Sequence, residues 1–428
     1  MKKLAELGLA LLAALAIVGL LVWWYGVRDG TDTPGSNGRS DGANWPSAEL
    51  LARGAYLARA GNCMLCHTRR GGAAYAGGRA IETPFGTVFS SNLTPDVASG
   101  IGSWSTADFW RALHHGRSRD GRLLVPAFPY TSYAQVTRED VDAIFAFLQN
   151  QPAVAQPNPP QQLRWPYNTQ LALAVWRALY FRPELFQPDP GHDLAWNRGA
   201  YLVRALGHCN ACHTTRNLLG AEDSKLDLAG GPIPMQNWYA PSLLLASEAG
   251  VADWDIQQVV RLLQTGMAPR GTVTGPMAEV VQHSTQFLTR QDLIAMASYL
   301  KALPAAAGAV TERPQIPNPG SAAGAKLYER HCAQCHGDKG EGVAGAYPAL
   351  AGNRAVSMPP ATNLVQMVLR GGFAPATDAN PRPYGMPPYQ MVLSDSELAA
   401  LLTHIRGAWG NRAGAVSELD VTRYRVAR

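Results

Sequence analysis

The cysteines are the residues with the clearest chemical potential, because all of them fall in one repeated pattern. The 428-residue chain has 6 cysteines, arranged as Cys-x-x-Cys pairs with a histidine directly after each pair. Two thiols at this spacing can form thioethers with the vinyl groups of one haem, and the adjacent histidine can bind its iron. The sequence therefore predicts three covalently bound haem c groups. The thioether residues would be Cys63, Cys66, Cys209, Cys212, Cys332 and Cys335, and the iron ligands His67, His213 and His336.

Other uses of paired cysteines fit this pattern less well. A zinc ribbon needs two pairs close together, whereas these pairs lie far apart in the chain. A thioredoxin-like redox pair expects a surrounding βαβ pattern, which is absent. Structural disulfides would not require a histidine after every second cysteine.

Electron-transfer haems of this kind usually bind a methionine sulfur on the face opposite the histidine. The methionine should lie between the haem motif and the last helix of its domain. Met277, in GPMAE, meets this condition after the second motif, and Met386, in YGMPP, meets it after the third. Met391 is a weaker rival because it lies closer to the helix.

The first haem motif has no such methionine. The matching loop, VPAFPY, has Phe128 where a methionine is expected, so the first haem is either five-coordinate or uses another ligand. By chemistry, His114 and His115 are the only candidates. The favoured alternative is that they are surface histidines or contact a haem propionate.

The regions around the motifs also repeat, which predicts the fold. A glycine-containing helix precedes each motif, and a capped helix with apolar residues at helical spacing follows it. This is the helix pair of a class I cytochrome c, so the predicted fold is mainly α, with three tandem class I cytochrome c domains. The predicted parts are domains 45–150, 191–303 and 319–410, a Pro-rich connector 151–190, a linker 304–318 and a tail 411–428.

The N-terminal residues form a separate region. Two lysines precede an apolar stretch at about residues 7–27, close to the ~20 residues that span a bilayer as a helix, and aromatic residues end it. We therefore expect residues 1–29 to be a transmembrane anchor rather than a cleaved signal, followed by a flexible linker at 30–44. With either reading the lysines stay on the cytoplasmic side, so we expect the rest of the chain to be exported.

The remaining composition excludes other classes of protein. A formal charge of +5, without basic tracts interleaved with aromatics, gives no support for nucleic-acid binding. No nucleotide-binding glycine fingerprint and no metal cluster other than the haem motifs is present, so we expect an electron carrier rather than an enzyme.

The sequence resembles the three-haem cytochrome c subunits of membrane-bound bacterial dehydrogenases that oxidise alcohols, gluconate, sorbitol, fructose or aldehydes. The matching stretches are residues 76–86, 91–96, 196–202, 275–281 and 405–411. The resemblance implies that a catalytic subunit of molybdopterin/iron–sulfur, flavin or PQQ type supplies electrons, and that membrane ubiquinone receives them. It also implies that Met277 and Met386 are axial ligands. The Phe128 loop and residues 235–242 look more like the branch paired with molybdopterin-type aldehyde or N-heterocycle dehydrogenases.

Two other functions remain open at this point. An accessible first haem could make the chain a haem enzyme or sensor. Alternatively, the chain could be a membrane-anchored electron shuttle without a fixed catalytic partner.

Overall fold

The computed structural model describes residues 46–304, 318 and 320–426, together with Glu6, Ile17, Gly19, Leu20 and Trp24. The predicted anchor and the predicted linkers 30–44 and 304–318 therefore lie largely outside the described residues. Within the described part, no helix is long and apolar enough to cross a membrane.

The described chain is mainly helical. The longer helices are Ala48–Ala60, Thr106–His115, Arg138–Gln149, Gln170–Tyr180, Leu194–Ala200, Ile256–Thr265, Pro276–His283, Arg290–Lys301, Ala322–His331, Thr362–Arg370, Asp395–Gly407 and Glu418–Val426. The short helices are Cys63–Cys66, Tyr130–Tyr133, Asn210–His213, Ala333–His336 and Arg354–Ser357, with a π-helical segment at Tyr201–Leu206 and 3₁₀ turns at Ser224–Leu226 and Thr285–Phe287.

The strands of the described residues are short and antiparallel. Ala80–Thr83, Gly86–Phe89 and Gln162–Leu163 form one three-stranded sheet. The remaining strands form hairpin pairs: Gly231–Ile233 with Trp238–Ala240, Met267–Ala268 with Gly271–Thr272, and Gly372–Phe373 with Gly385–Met386.

A pair of crossing helices occurs three times, as the sequence predicts. The pairs are Ala48–Ala60 with Arg138–Gln149, Leu194–Ala200 with Arg290–Lys301, and Ala322–His331 with Asp395–Gly407. At each crossing a glycine touches the backbone of the other helix. A Cβ at Gly54, Gly199 or Gly324 would lie only 2.0–2.1 Å from a backbone carbonyl oxygen of the partner helix. Only glycine permits this approach.

An ion pair reinforces the first two crossings. Arg53 contacts Asp140 at 2.6 Å, and Arg198 contacts Asp292 at 2.8 Å. Each arginine directly precedes the crossing glycine, and each aspartate lies in the first turn of the partner helix. These aspartates therefore join the two helices of a pair.

The helix caps agree with the sequence prediction. The hydroxyls of Thr137 and Thr289 each accept a hydrogen bond from the backbone N–H three residues later. Ser394 forms a full capping box with Glu397 at the third crossing helix. These caps satisfy N–H groups that a helix end leaves open.

Two stretches that the sequence predicts as a connector and a tail contain regular structure. Residues 151–190 supply the third strand of a sheet and the 11-residue helix Gln170–Tyr180. Residues 411–428 include the helix Glu418–Val426, whose Val421 is buried in the core of the preceding domain. Charged residues interrupt the hydrophobic pattern of Glu418–Val426. No proline falls within Gln170–Tyr180, which is apolar except for Gln170 and Arg177, so its sequence is compatible with a helix.

The described residues divide into two compact units. The first holds the described residues up to Ala58, Cys66–Gln187 and Leu218–Ala221. The second holds Arg59–Leu65, Pro188–Asn217 and the described residues within Glu222–Arg428. We call residues 191–303 the second module and residues 319–410 the third module; apart from residues 218–221, both fall within the second unit.

Side chains join the second and third modules. Asp253 contacts Arg270 at 2.6 Å in its own module and Arg354 at 2.7 Å in the third. Nearby, Tyr239 and Asn363 exchange two backbone-to-amide hydrogen bonds, at 2.9 and 2.7 Å. Burial raises the pKa of Asp253, but the two arginines outweigh it and hold the pKa at about 2.

We predict that Asp253→Asn lowers the free energy of unfolding of the second unit by about 1 kcal/mol at neutral pH, a modest value because the carboxylate is half exposed. The pKa of Asp253 is depressed from 3.8 to about 2, so its contribution is complete above pH 4 and is lost as the pH falls towards 2. Denaturant unfolding at several pH values measures this. Asp120→Asn, which removes an exposed pair with Arg122, is the control. A loss from Asp253→Asn that is equally large at pH 2 and pH 7 would contradict the prediction.

Candidate haem sites

Each predicted iron-binding histidine is oriented by a hydrogen bond from its ring. The Nδ1 atoms of His67, His213 and His336 lie 2.7, 2.7 and 3.0 Å from the backbone oxygens of Ser91, Pro241 and Pro348. A carbonyl oxygen can only accept, so Nδ1 carries the proton and donates. The Nε2 lone pair is then available to a metal, which is the arrangement usual for metal-binding histidines.

Burial acts in the same direction on all three imidazoles. It lowers the pKa of each histidine below the ordinary 6.5, and the hydrogen bond to the carbonyl opposes it only in part. Each ring is therefore neutral at pH 7. A neutral imidazole is the form that binds iron.

A glycine that is hydrogen-bonded to the backbone of each histidine makes the contact between the ring and the carbonyl possible. The backbone oxygens of His67, His213 and His336 accept hydrogen bonds of 2.7–2.8 Å from the N–H groups of Gly77, Gly230 and Gly342. All three glycines have positive φ, of 66–79°. A Cβ at these glycines would lie 2.4–2.6 Å from the backbone of the segment that supplies the accepting carbonyl. Glycine is therefore required on grounds of both conformation and space.

The cysteines suit covalent attachment of haem. All six are thiols rather than disulfides, and each pair lies on, or at the start of, a short helical turn that includes or directly precedes its histidine. Among the described residues, no group of three or more His, Cys, Asp and Glu side chains could hold a metal ion. One histidine per site would suit an iron whose remaining ligands come mainly from a porphyrin. When bound, such a haem supplies reversible one-electron transfer at the iron.

The structure places the two predicted methionine ligands in different settings. Met277 is half-buried at the start of the helix Pro276–His283, next to Gly275, whose missing Cβ leaves room for the ring of Trp238. Met386 is half-buried in a short strand and packs against the core of the third module. Met391 is 89% exposed. The exposure of Met391 favours Met386 as the predicted ligand.

The first site differs from the other two, as the sequence indicates. Phe128 packs among aromatic rings, with its centroid 5.3 Å from that of Tyr133. His114 and His115 are buried, and the ring of His114 stacks on Trp110 at 4.5 Å. The reading of these histidines as surface residues was therefore wrong, because the apolar face of the helix Thr106–His115 takes them into the core. Whether either binds the first haem remains a prediction.

The sequence did not identify the residues that orient the ligand histidines. The accepting groups of Ser91, Pro241 and Pro348 are backbone carbonyls, which have no side-chain signal. The bonded glycines follow their histidines at different distances in the three sites, so no single spacing could have revealed them.

Comparisons with known proteins agree with this geometry. The Cytochrome c family matches residues 321–409. The chain is 40% identical over 403 residues to the cytochrome c subunit of alcohol dehydrogenase (quinone) from Gluconacetobacter polyoxogenes, covering 90% of this chain and 86% of that protein. It is 38% identical over 399 residues to the gluconate 2-dehydrogenase cytochrome c subunit of Pantoea cypripedii, covering 88% and 89%. It is 40% identical over 367 residues to a nicotinate dehydrogenase subunit from Pseudomonas putida, covering 84% of this chain and 30% of that protein.

We predict that Gly342→Ala disrupts the third site more than Gly345→Ala does. Both glycines have positive φ, but a Cβ at Gly345 meets open space, whereas one at Gly342 lies 2.6 Å from the backbone of Ala349. Gly345→Ala should lower the free energy of unfolding by about 1 kcal/mol through backbone strain alone. Gly342→Ala should lower it by about 3 kcal/mol, because overpacking adds to strain. Denaturant unfolding followed by haem absorbance measures both. Equal losses would contradict the role of Gly342 in holding His336.

We also predict that Met386→Leu lowers the reduction potential of the third haem, whereas Met391→Leu leaves it unchanged. Leucine keeps the apolar volume but removes the sulfur that would bind iron. The expected change is of the order of 100 mV, a fraction of the roughly 0.8 V range that axial ligands give haem proteins. A spectroelectrochemical titration of each variant measures it. An effect confined to Met391→Leu would show that the two assignments are reversed.

Proposed function

The chain belongs to the cytochrome c subunits of membrane-bound dehydrogenases, and we propose that it passes electrons through three covalently bound haems from a catalytic subunit to ubiquinone. It is an electron-transfer subunit, and its relatives work within dehydrogenase complexes whose other subunits act on the substrate. We further propose that it works on the periplasmic face of the cytoplasmic membrane, held there by residues 1–29.

One observation carries the proposal of three haems. All three Cys-x-x-Cys-His motifs have the same environment: a ring nitrogen bonded to a backbone carbonyl, and a positive-φ glycine bonded to the histidine oxygen. A histidine in a loop without a metal needs no such orientation. Its threefold recurrence supports one haem at each motif, including the two motifs outside residues 321–409.

The proposed role assigns distinct tasks to the chain's own residues. Thioether bonds from the cysteines would keep each cofactor in place, and the oriented histidines would bind its iron. Met277 and Met386 would supply a further ligand to the second and third irons and favour the reduced state. The first site, with Phe128 in the corresponding loop, would have a lower reduction potential. It would also differ from the other two in the accessibility of its haem or in the ligands of its iron.

The catalytic partner is proposed to be an alcohol- or aldehyde-type dehydrogenase of the molybdopterin/iron–sulfur class. The Phe128 loop and residues 235–242 support this class over flavin or PQQ partners. Cofactor analysis of the partner that co-purifies with the chain distinguishes these three classes.

The test is to purify the chain from membranes and titrate it. We expect three haems per chain by mass, a co-purifying dehydrogenase subunit, and two high-potential waves with one lower wave. Adding the partner's substrate without oxygen should reduce the haems, and adding a ubiquinone analogue should reoxidise them. Three equal high-potential waves would contradict the assignment of Phe128. A chain that carries no partner and is not reduced by substrate would instead be a stand-alone shuttle, and a cyanide-induced shift of one haem would indicate an open first site.

A further inference from the structure

The helix Gln170–Tyr180 in the first unit exposes several of its large apolar residues while its charged residue is buried. Leu171, Val175 and Leu179 lie on successive turns of one face, and Leu171 and Leu179 are 57% and 56% exposed. Arg177 is the helix's single charged residue, yet it is only 4% exposed. A helix that faces water normally has the opposite arrangement.

Contacts around Arg177 hold the helix in this orientation. Its guanidinium donates a hydrogen bond to the backbone oxygen of His115. It also lies over the rings of Phe181 and Tyr130, at 4.7 and 5.6 Å from their centroids. Rotating the helix to bury Leu171 and Leu179 would break these contacts and expose Arg177 to solvent. The apolar exposure is therefore built into the packing of the first unit.

The residues that flank this helix have the character of a membrane interface. Trp165 is 80% exposed and directly precedes the turn that leads into the helix, and Tyr180 is exposed at the other end. Arg164 and Arg182 are exposed beyond the two ends. Aromatic rings and arginines around an aliphatic centre are typical of helices that lie in the headgroup region of a bilayer.

The charge of the segment favours an anionic surface. From residue 143 to residue 183 the sequence has no aspartate or glutamate. Its exposed formal charges, at Arg164 and Arg182, are therefore not offset by any acidic residue within the segment. Anionic phospholipid headgroups complement this pattern, and acyl chains complement the leucine face.

We propose that Leu171, Val175, Leu179 and the adjoining Trp165 rest in the surface of an anionic phospholipid bilayer, as a contact additional to the N-terminal segment. We call these four side chains the lipid face. The inference rests on the proposed function, which puts the chain at a membrane surface. It goes further by assigning the side of the first unit that faces the lipid.

The test is hydroxyl-radical footprinting of the full chain in nanodiscs that contain phosphatidylglycerol. In the wild type, Trp165 and Val175 should be oxidised about fivefold more slowly, relative to exposed Met391, than in the double variant Leu171→Glu/Leu179→Glu. The reason is that an amphipathic helix sinks about 5–10 Å into the headgroup region, and two carboxylates would prevent this. Both substituted side chains are exposed, so the haem spectrum should not change.

Leu419→Glu is the matched control, because it places the same charge on an exposed leucine of another helix; it should keep the wild-type pattern. Equal oxidation of Trp165 and Val175 in the wild type and the double variant would overturn the proposal. Protection that appears only when the catalytic subunit is added would overturn it in favour of a protein interface. Unchanged protection in nanodiscs of phosphatidylcholine alone would overturn the proposed attraction of Arg164 and Arg182 to anionic headgroups. Substrate-driven haem reduction, measured separately in detergent, tests the proposed function whatever the outcome here.

Discussion

The hydrogen bond from each ligand histidine to a backbone carbonyl is the interaction on which the sites depend. A Cys-x-x-Cys-His motif brings a histidine near a haem, but the ring can still rotate and can carry its proton on either nitrogen. A carbonyl at 2.7–3.0 Å from Nδ1 restricts both choices. The loop that provides this carbonyl comes close only because a positive-φ glycine, such as Gly230, has no Cβ to exclude it. The identity of one small residue thus determines the direction in which Nε2 points.

A second glycine contact sets the framework around each site. Gly54, Gly199 and Gly324 let the helix before a motif touch the backbone of the helix after it. The crossing fixes the position of the motif relative to the capped helix. Few other elements then surround the predicted site, and a domain with so few elements would bind a large cofactor weakly without covalent bonds.

The three sites share this framework but not their other surroundings. The second and third have a half-buried methionine in the loop where an axial ligand is predicted, whereas the first has Phe128 among aromatic rings. The first unit also buries His114 and His115 and carries the inverted helix Gln170–Tyr180. The second and third modules instead share a joint in which Asp253 contacts two arginines. The three predicted sites therefore combine one local framework with different surroundings.

The sequence by itself determined the helix pairs and their caps, and it predicts the attachment cysteines and the ligand histidines. Each of these is a local pattern: a spacing, a capping residue or a helical period, and its physical cause lies within a few residues. Only the tertiary structure decided which carbonyls orient the histidines, that His114 and His115 are buried, and that the helices Gln170–Tyr180 and Glu418–Val426 pack within the predicted connector and tail. Backbone carbonyls have no sequence signature, and the burial of a side chain depends on elements distant in the chain. The outward face of Leu171 and Leu179 was hidden for the same reason, since only the packing of Arg177 shows which side of that helix is inside.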